Sequence, residues 1–255
     1  MARLPPPPDR AWLLDELRRL VGAGGDRQLV RARIRRPTVE EFPEPWSGDA
    51  GSLQRLLGRM LKYAGLGGVS VRLETRVEIV PQVPAQRGAW FAGLDGATLR
   101  FGCAVSGLEA GGAPRIAGLA HEVARGWRAV HGMPGEPGTI EPLAALTTVY
   151  LGFGLFTANL ACSPPVTGVG GRDALPVDHL GFALAAQILA RRTSCMDTWR
   201  LLRVLEPEAR GAVRLGLRAL RPAEAVRERL GLALLEDPPA IDLLLADDRP
   251  PVERG

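Results

Sequence analysis

The chain is expected to fold as an α+β protein, with N-terminal helices, a small antiparallel sheet and a helical C-terminal half. Three observations predict this. Strand-like alternation is confined to the first half, at residues 29–35, 69–79 and 90–105. Beyond Gly111 and Gly112 the apolar stretches have helical spacing or helical length. The strands come first and the helices after, which argues against a doubly wound parallel sheet. The 255 residues are 46% hydrophobic and 24% charged, enough for a real core and incompatible with a wholly disordered or collagen-like chain.

Residues 1–8, with Pro5 to Pro8, lack the apolar run of a secretory signal and read as an extended arm. Asp9 stands as N-cap to a helix built on Ala11, Leu13, Leu14, Leu17, Leu20 and Val21, which the glycine-rich 22–25 ends. Residues 29–35 read as a strand, and 37–49 as an irregular, turn-rich segment. Leu53, Leu56, Leu57, Met60, Leu61 and Ala64 return to helical spacing over 53–66. Val69, Val71, Leu73, Val77 and Ile79 alternate as a strand that Pro81 ends. Residues 90–94 and 98–105, joined by Asp95-Gly96, form a hairpin. Helices follow at 116–130, 141–162, 177–190, 198–205, 207–220 and 222–235. Residues 9–235 thus make one domain, and 236–255, with four prolines, a loose tail.

Net charge is +4, yet Lys62 is the only lysine among 32 basic residues. That skew fits a GC-rich genome better than selection for phosphate. The 28 acidic residues are interspersed with the arginines, so no single-sign field steers a polyanion and nucleic acid is not favoured. Cys103, Cys162 and Cys195 form neither a disulfide framework nor a metal knuckle, which suits a cytoplasmic protein. Residues 143–162 have the length of a membrane span but carry Thr147, Thr148, Thr157 and Asn159 and no flanking basic residue; they read as a buried helix. No G-x-S-x-G elbow is present, and nothing supports covalent catalysis.

One motif carries chemistry. His121-Glu122 opens an H-E-x-x-H pattern whose second histidine position is Arg125. On a helix, residues i and i+4 share a face, so two imidazoles grip one zinc while the glutamate activates its water. Arginine has no lone pair to offer a metal. Twenty residues on, Glu141-Pro-Leu begins a segment that ends Gly152-Phe-Gly154-Leu-Phe-Thr-Ala-Asn159. With Pro37-Thr38, Glu40-Glu41-Phe42-Pro43 and Tyr63-Ala64-Gly65-Leu66 upstream, the chain resembles, over residues 30–200, a family of uncharacterised bacterial proteins with a zincin-like core. Its pattern is H-E-x-x-H, then E-P-L-T-D-L, then a G-F-G-x-F-x-A-N helix.

The resemblance implies a first metal ligand at His121, the general base at Glu122 and a third ligand at Glu141. The second ligand falls on Arg125 and the acid orienting a ligand histidine on Ala145, so two of five roles are lost. It therefore implies a degenerate, metal-free pseudo-metallopeptidase with a scaffold or protein-binding role and no cofactor. One alternative is an active metallohydrolase holding zinc through His121, His131 and Glu141; another is a basic interaction module presenting Arg210, Arg214, Arg218 and Arg221 on one helical face. His131 follows His121 by ten residues, as in the extended zincin motif, but the motif's glycine position holds Arg128. His179 beside Asp178 reads as a capping or surface residue, and Gly152-x-Gly154 as close helix packing. In the vacated metal position Arg125 is expected to replace zinc electrostatically by pairing with Glu141, with Glu122 the second choice.

Overall fold

A computed structural model of the chain describes residues 2–44, 47–76, 89–104, 113–162 and 175–232. Helix α1 (Pro7–Gly24) opens on proline, whose fixed φ suits the first turn and whose missing N–H leaves no bond unmade. The N-cap is Pro6, so Asp9 is not the cap expected; it sits inside the first turn, where the helix dipole favours a carboxylate. The arm is correspondingly shorter than expected and is docked: Pro5 is buried, Leu4 packs on the core, and Arg3 donates to Asp178 at 3.2 Å.

The strand expected at 29–35 does not form. The short helix α2 (Asp26–Val30), which buries Leu29, is followed by irregular chain that buries Ile34. A spacing of five would send them to opposite faces of a strand. Helix α3 (Ala50–Tyr63) starts three residues earlier than its apolar spacing alone indicates, because Asp49 and Ser52 close a capping box: Asp49 Oδ1 accepts from Ser52 N–H at 2.6 Å.

Strands β1 (Ser70–Arg76), β2 (Ala89–Asp95) and β3 (Thr98–Ala104) make one sheet in the order β1-β3-β2. β2 and β3 form the expected hairpin, with a register shift between Phe91 and Gly93. β3 then returns between its two neighbours and runs parallel to β1, so the sheet is mixed rather than antiparallel. Alternation marks a strand's faces, not its neighbours. Val77, Ile79, Pro81, Gly111, Gly112 and the tail at 236–255 lie outside the described residues.

Helix α4 (Ala113–Val130) lies between the sheet and a helical body, contacting β2 on one side and α5 (Ile140–Tyr150) and α6 (Gly154–Ala161) on the other. The single helix expected over 141–162 is thus two. They part at Gly152, whose φ of +88° is open to glycine and whose missing Cβ would stand 2.6 Å from the Arg33 carbonyl oxygen. Arg35 N–H closes that approach on Gly152 O at 2.8 Å. Helix α7 (Val177–Ala190) is the apolar centre of the body and packs against α1, α5, α6, α9 (Pro207–Ala219) and α10 (Ala223–Arg229). Small residues let α7 and α9 approach closely, Gly181 lying on Ala212 and Gly216 on Ala185. Helix α8 (Cys195–Val204) packs against α9. Among the described residues no helix is long and apolar enough to cross a membrane.

Candidate functional site

Helix α4 points the residues of the H-E half-motif in different directions. Glu122 is fully buried and faces the sheet, where its Oε2 accepts from Phe91 N–H at 2.8 Å. Arg125, one turn on, donates through Nη1 to the same oxygen at 3.2 Å. Its side chain keeps 28% exposure and borders a small cleft of about 130 Å³ beside Pro134 and Ile140. His121 faces the first turn of α5, with Nε2 2.8 Å from Glu141 Oε2. The contact lacks hydrogen-bond geometry, and Nε2 is buried without a hydrogen-bond partner.

The expected pairing is thereby corrected. Arg125 pairs with Glu122, the second choice, and Glu141 meets His121. The reason is local. Glu122 stands three residues away on the same helix, the spacing at which side chains meet, and the Phe91 N–H already aims its carboxylate.

Arg128, where the extended motif would have glycine, has a role the sequence did not disclose. It is buried and donates to Glu16 Oε1 of α1 at 2.8 Å and to Thr147 Oγ1 of α5 at 3.2 Å. Arg19 completes the cluster on Glu16 Oε2 at 3.1 Å. The partners lie 112 residues apart in sequence, so no local pattern announces them. His131 stacks on Trp127 with ring centroids 3.7 Å apart, and its Nδ1 bonds Trp127 O at 2.8 Å. That geometry turns it away from the ligand set His121, His131 and Glu141. Among the described residues no three His, Cys, Asp or Glu side chains are grouped to hold a metal.

His179 is not a surface residue. Its ring bridges α7 to α1, with Nδ1 2.9 Å from Asp178 and Nε2 3.0 Å from Asp9. Of the stripe on α9, Arg214 and Arg218 are exposed, as is Arg221 beyond the helix, but Arg210 is half-buried and donates to Leu205 O at 2.8 Å. Burial pushes the Cys162 thiol above its ordinary pKa, which keeps it protonated and unreactive.

The segments that carry the resemblance meet in space. Tyr63 Oη donates to Glu41 O at 2.7 Å, and Phe42 packs edge-on against both Tyr63 and Phe156. Asn159 clamps the α8–α9 junction: its Nδ2 donates to Val204 O at 3.0 Å and its Oδ1 accepts from Glu206 N–H at 2.8 Å. These contacts tie the body around α4 together, and Pro37, Phe156 and Asn159 also line a cleft of about 240 Å³. Gly152, read as helix packing, instead makes room for the Arg33 carbonyl. No family model, curated protein or solved structure matches the chain.

Proposed function

We propose that the chain is a catalytically degenerate, zincin-like protein, a pseudo-metallopeptidase whose helical core serves as a scaffold for a protein partner. The observation that carries this reading is the state of Glu122. A general base must reach the water it activates, yet this carboxylate is fully buried and its Oε2 is held by Phe91 N–H and Arg125. A guanidinium at the second ligand position supplies positive charge but no lone pair. His121 and Glu141, drawn to each other, offer two protein ligands where structural and catalytic zinc sites use three or four.

Elemental analysis of untagged protein tests the reading. Far less than one zinc per chain is expected. Near-unit zinc that is lost on His121→Ala would overturn the proposal. The paired substitution Arg125→His with Ala145→Asp should restore part of the site and bind zinc more tightly than the parent in a competition titration. Equal, weak binding by both would show that α4 and α5 are not placed as the zincin pattern requires.

A further inference from the structure

A polar cleft of about 570 Å³ has no role in the reading above. One wall is the irregular chain after α2, and the other is the α7–α8 junction with the first turns of α8. Five arginines line it, Arg33, Arg36, Arg191, Arg192 and Arg200. Its two carboxylates are already engaged. Glu41 accepts from Arg35 at 2.7 Å, and Asp197 accepts from Ser194 Oγ at 2.8 Å and from Arg200 at 3.1 Å. Arg33 and Arg36 meet no carboxylate among the described residues, and the Glu224 partner of Arg192 stands back at 3.6 Å.

The walls are built rather than loose. Arg191 ties them together by donating to Leu29 O and Ala32 O across the cleft. Arg35 is stacked over Tyr63 at 3.8 Å, which holds the Arg33–Arg36 segment in place. Burial, and next the Arg35 guanidinium, hold Arg191 below the ordinary arginine pKa, and an anion would offset the second of these. The backbone at Arg192 points the same way. Thr193 N–H bonds Ile188 O and Arg192 N–H bonds Leu189 O, a Schellman ending to α7 whose left-handed position glycine usually fills. Here it holds Arg192, at φ +50°. A strained backbone that places a guanidinium on a cleft wall is the kind of outlier that marks a ligand site. Below it the Thr193 hydroxyl is buried without a partner.

We propose that this cleft binds a small polyanion carrying two or more phosphate groups. The surplus of guanidinium over carboxylate calls for several negative charges, and arginine forks on two walls suit phosphate oxygens that point in several directions. The volume is that of a small-molecule site. No aromatic side chain lines it, so the stacking platform that single-stranded nucleic acids use is missing.

Calorimetric titration of the full chain with tripolyphosphate at low ionic strength tests the proposal. Saturable binding at one site per chain is expected, and Arg33→Gln with Arg36→Gln should weaken it about tenfold or more. Both side chains lack a carboxylate partner, so the variant should fold, which circular dichroism checks. The exposed pair on α9, changed as Arg214→Gln with Arg218→Gln, should leave binding unchanged. Non-saturable binding, equal loss in the two variants, or no loss in the first would overturn the site. Citrate binding as tightly as tripolyphosphate would overturn the phosphate class, and tighter binding of polythymidylate would overturn the small ligand in favour of nucleic acid.

Discussion

Two regions of this molecule concentrate arginine, and they treat it in opposite ways. Along α4, Arg125 and Arg128 each meet a buried carboxylate, Glu122 and Glu16, so the charge is answered inside the protein. In the cleft between the α2 chain and the α7–α8 junction, the carboxylates are spoken for and guanidiniums remain. The sum of charges along the chain conceals this, since a net +4 spread over 255 residues looks like a solvated surface. What separates a structural arginine from a binding one is whether the fold has supplied its counter-charge. On that criterion the helix carrying the H-E half-motif is a closed region and the cleft an open one.

The largest effect should come from opening the closed region. Glu16→Ala strands Arg128, whose side chain is 6% exposed, and removing one partner of a buried pair costs about 3–5 kcal/mol. Urea unfolding measures it; a loss under about 1 kcal/mol would mean that Arg128 finds water and that the region is not closed. Gly152→Ala comes next and acts on the cleft wall. A left-handed alanine costs about 1–2 kcal/mol, and its Cβ would press on the Arg33 carbonyl, for a total of roughly 2–4 kcal/mol. The same variant should weaken tripolyphosphate binding, because Arg33 belongs to that wall; unchanged affinity would separate the wall from the site.

Arg125→Ala should cost less, about 1–3 kcal/mol, since a partly exposed guanidinium leaves but a buried carboxylate loses one of its donors. Combined with Glu122→Gln, the loss should fall short of the sum of the single changes, the coupling expected of residues in contact. Additivity would show that Phe91 N–H alone satisfies Glu122. The Glu141→Gln variant run through the same cycle should couple to Arg125 more weakly, as its own contact is with His121.

Much of the fold was legible because it is local. The bounds of α7 follow directly from an apolar run set between Pro176 and two arginines, and the β2–β3 hairpin from its alternation around Asp95-Gly96. What stayed hidden depends on residues far apart in sequence. The break between α5 and α6 is fixed by a carbonyl at Arg33, more than a hundred residues upstream. The role of Arg128 is set by Glu16, and the cleft joins segments about 160 residues apart through Arg191 and Ala32. The half-motif itself was visible but its pairing was not: Glu122 lies one turn from Arg125 and is aimed by Phe91 N–H of the sheet, whereas Glu141 meets His121. A one-dimensional pattern names the charges; the fold decides which are neutralised.

The smallest effect is also the sharpest test of the comparison, because it separates stability from binding. If Arg192 holds its left-handed backbone to serve a ligand, Arg192→Gly should relieve strain while damaging binding. Relief of the left-handed conformation returns about 1–2 kcal/mol. Against this stand glycine's greater freedom in the unfolded chain, about 0.5–1 kcal/mol, and the loss of the exposed Glu224 pair, about 0–1 kcal/mol. Stability should therefore change little, between a loss of about 1 and a gain of about 1.5 kcal/mol, while tripolyphosphate affinity falls. No arginine on α4 should behave so, since Arg125→Ala and the loss of Glu16 both destabilise. An Arg192→Gly chain that loses more than about 1 kcal/mol in urea unfolding, with affinity intact, would place Arg192 with the structural arginines and erase the distinction between the two regions.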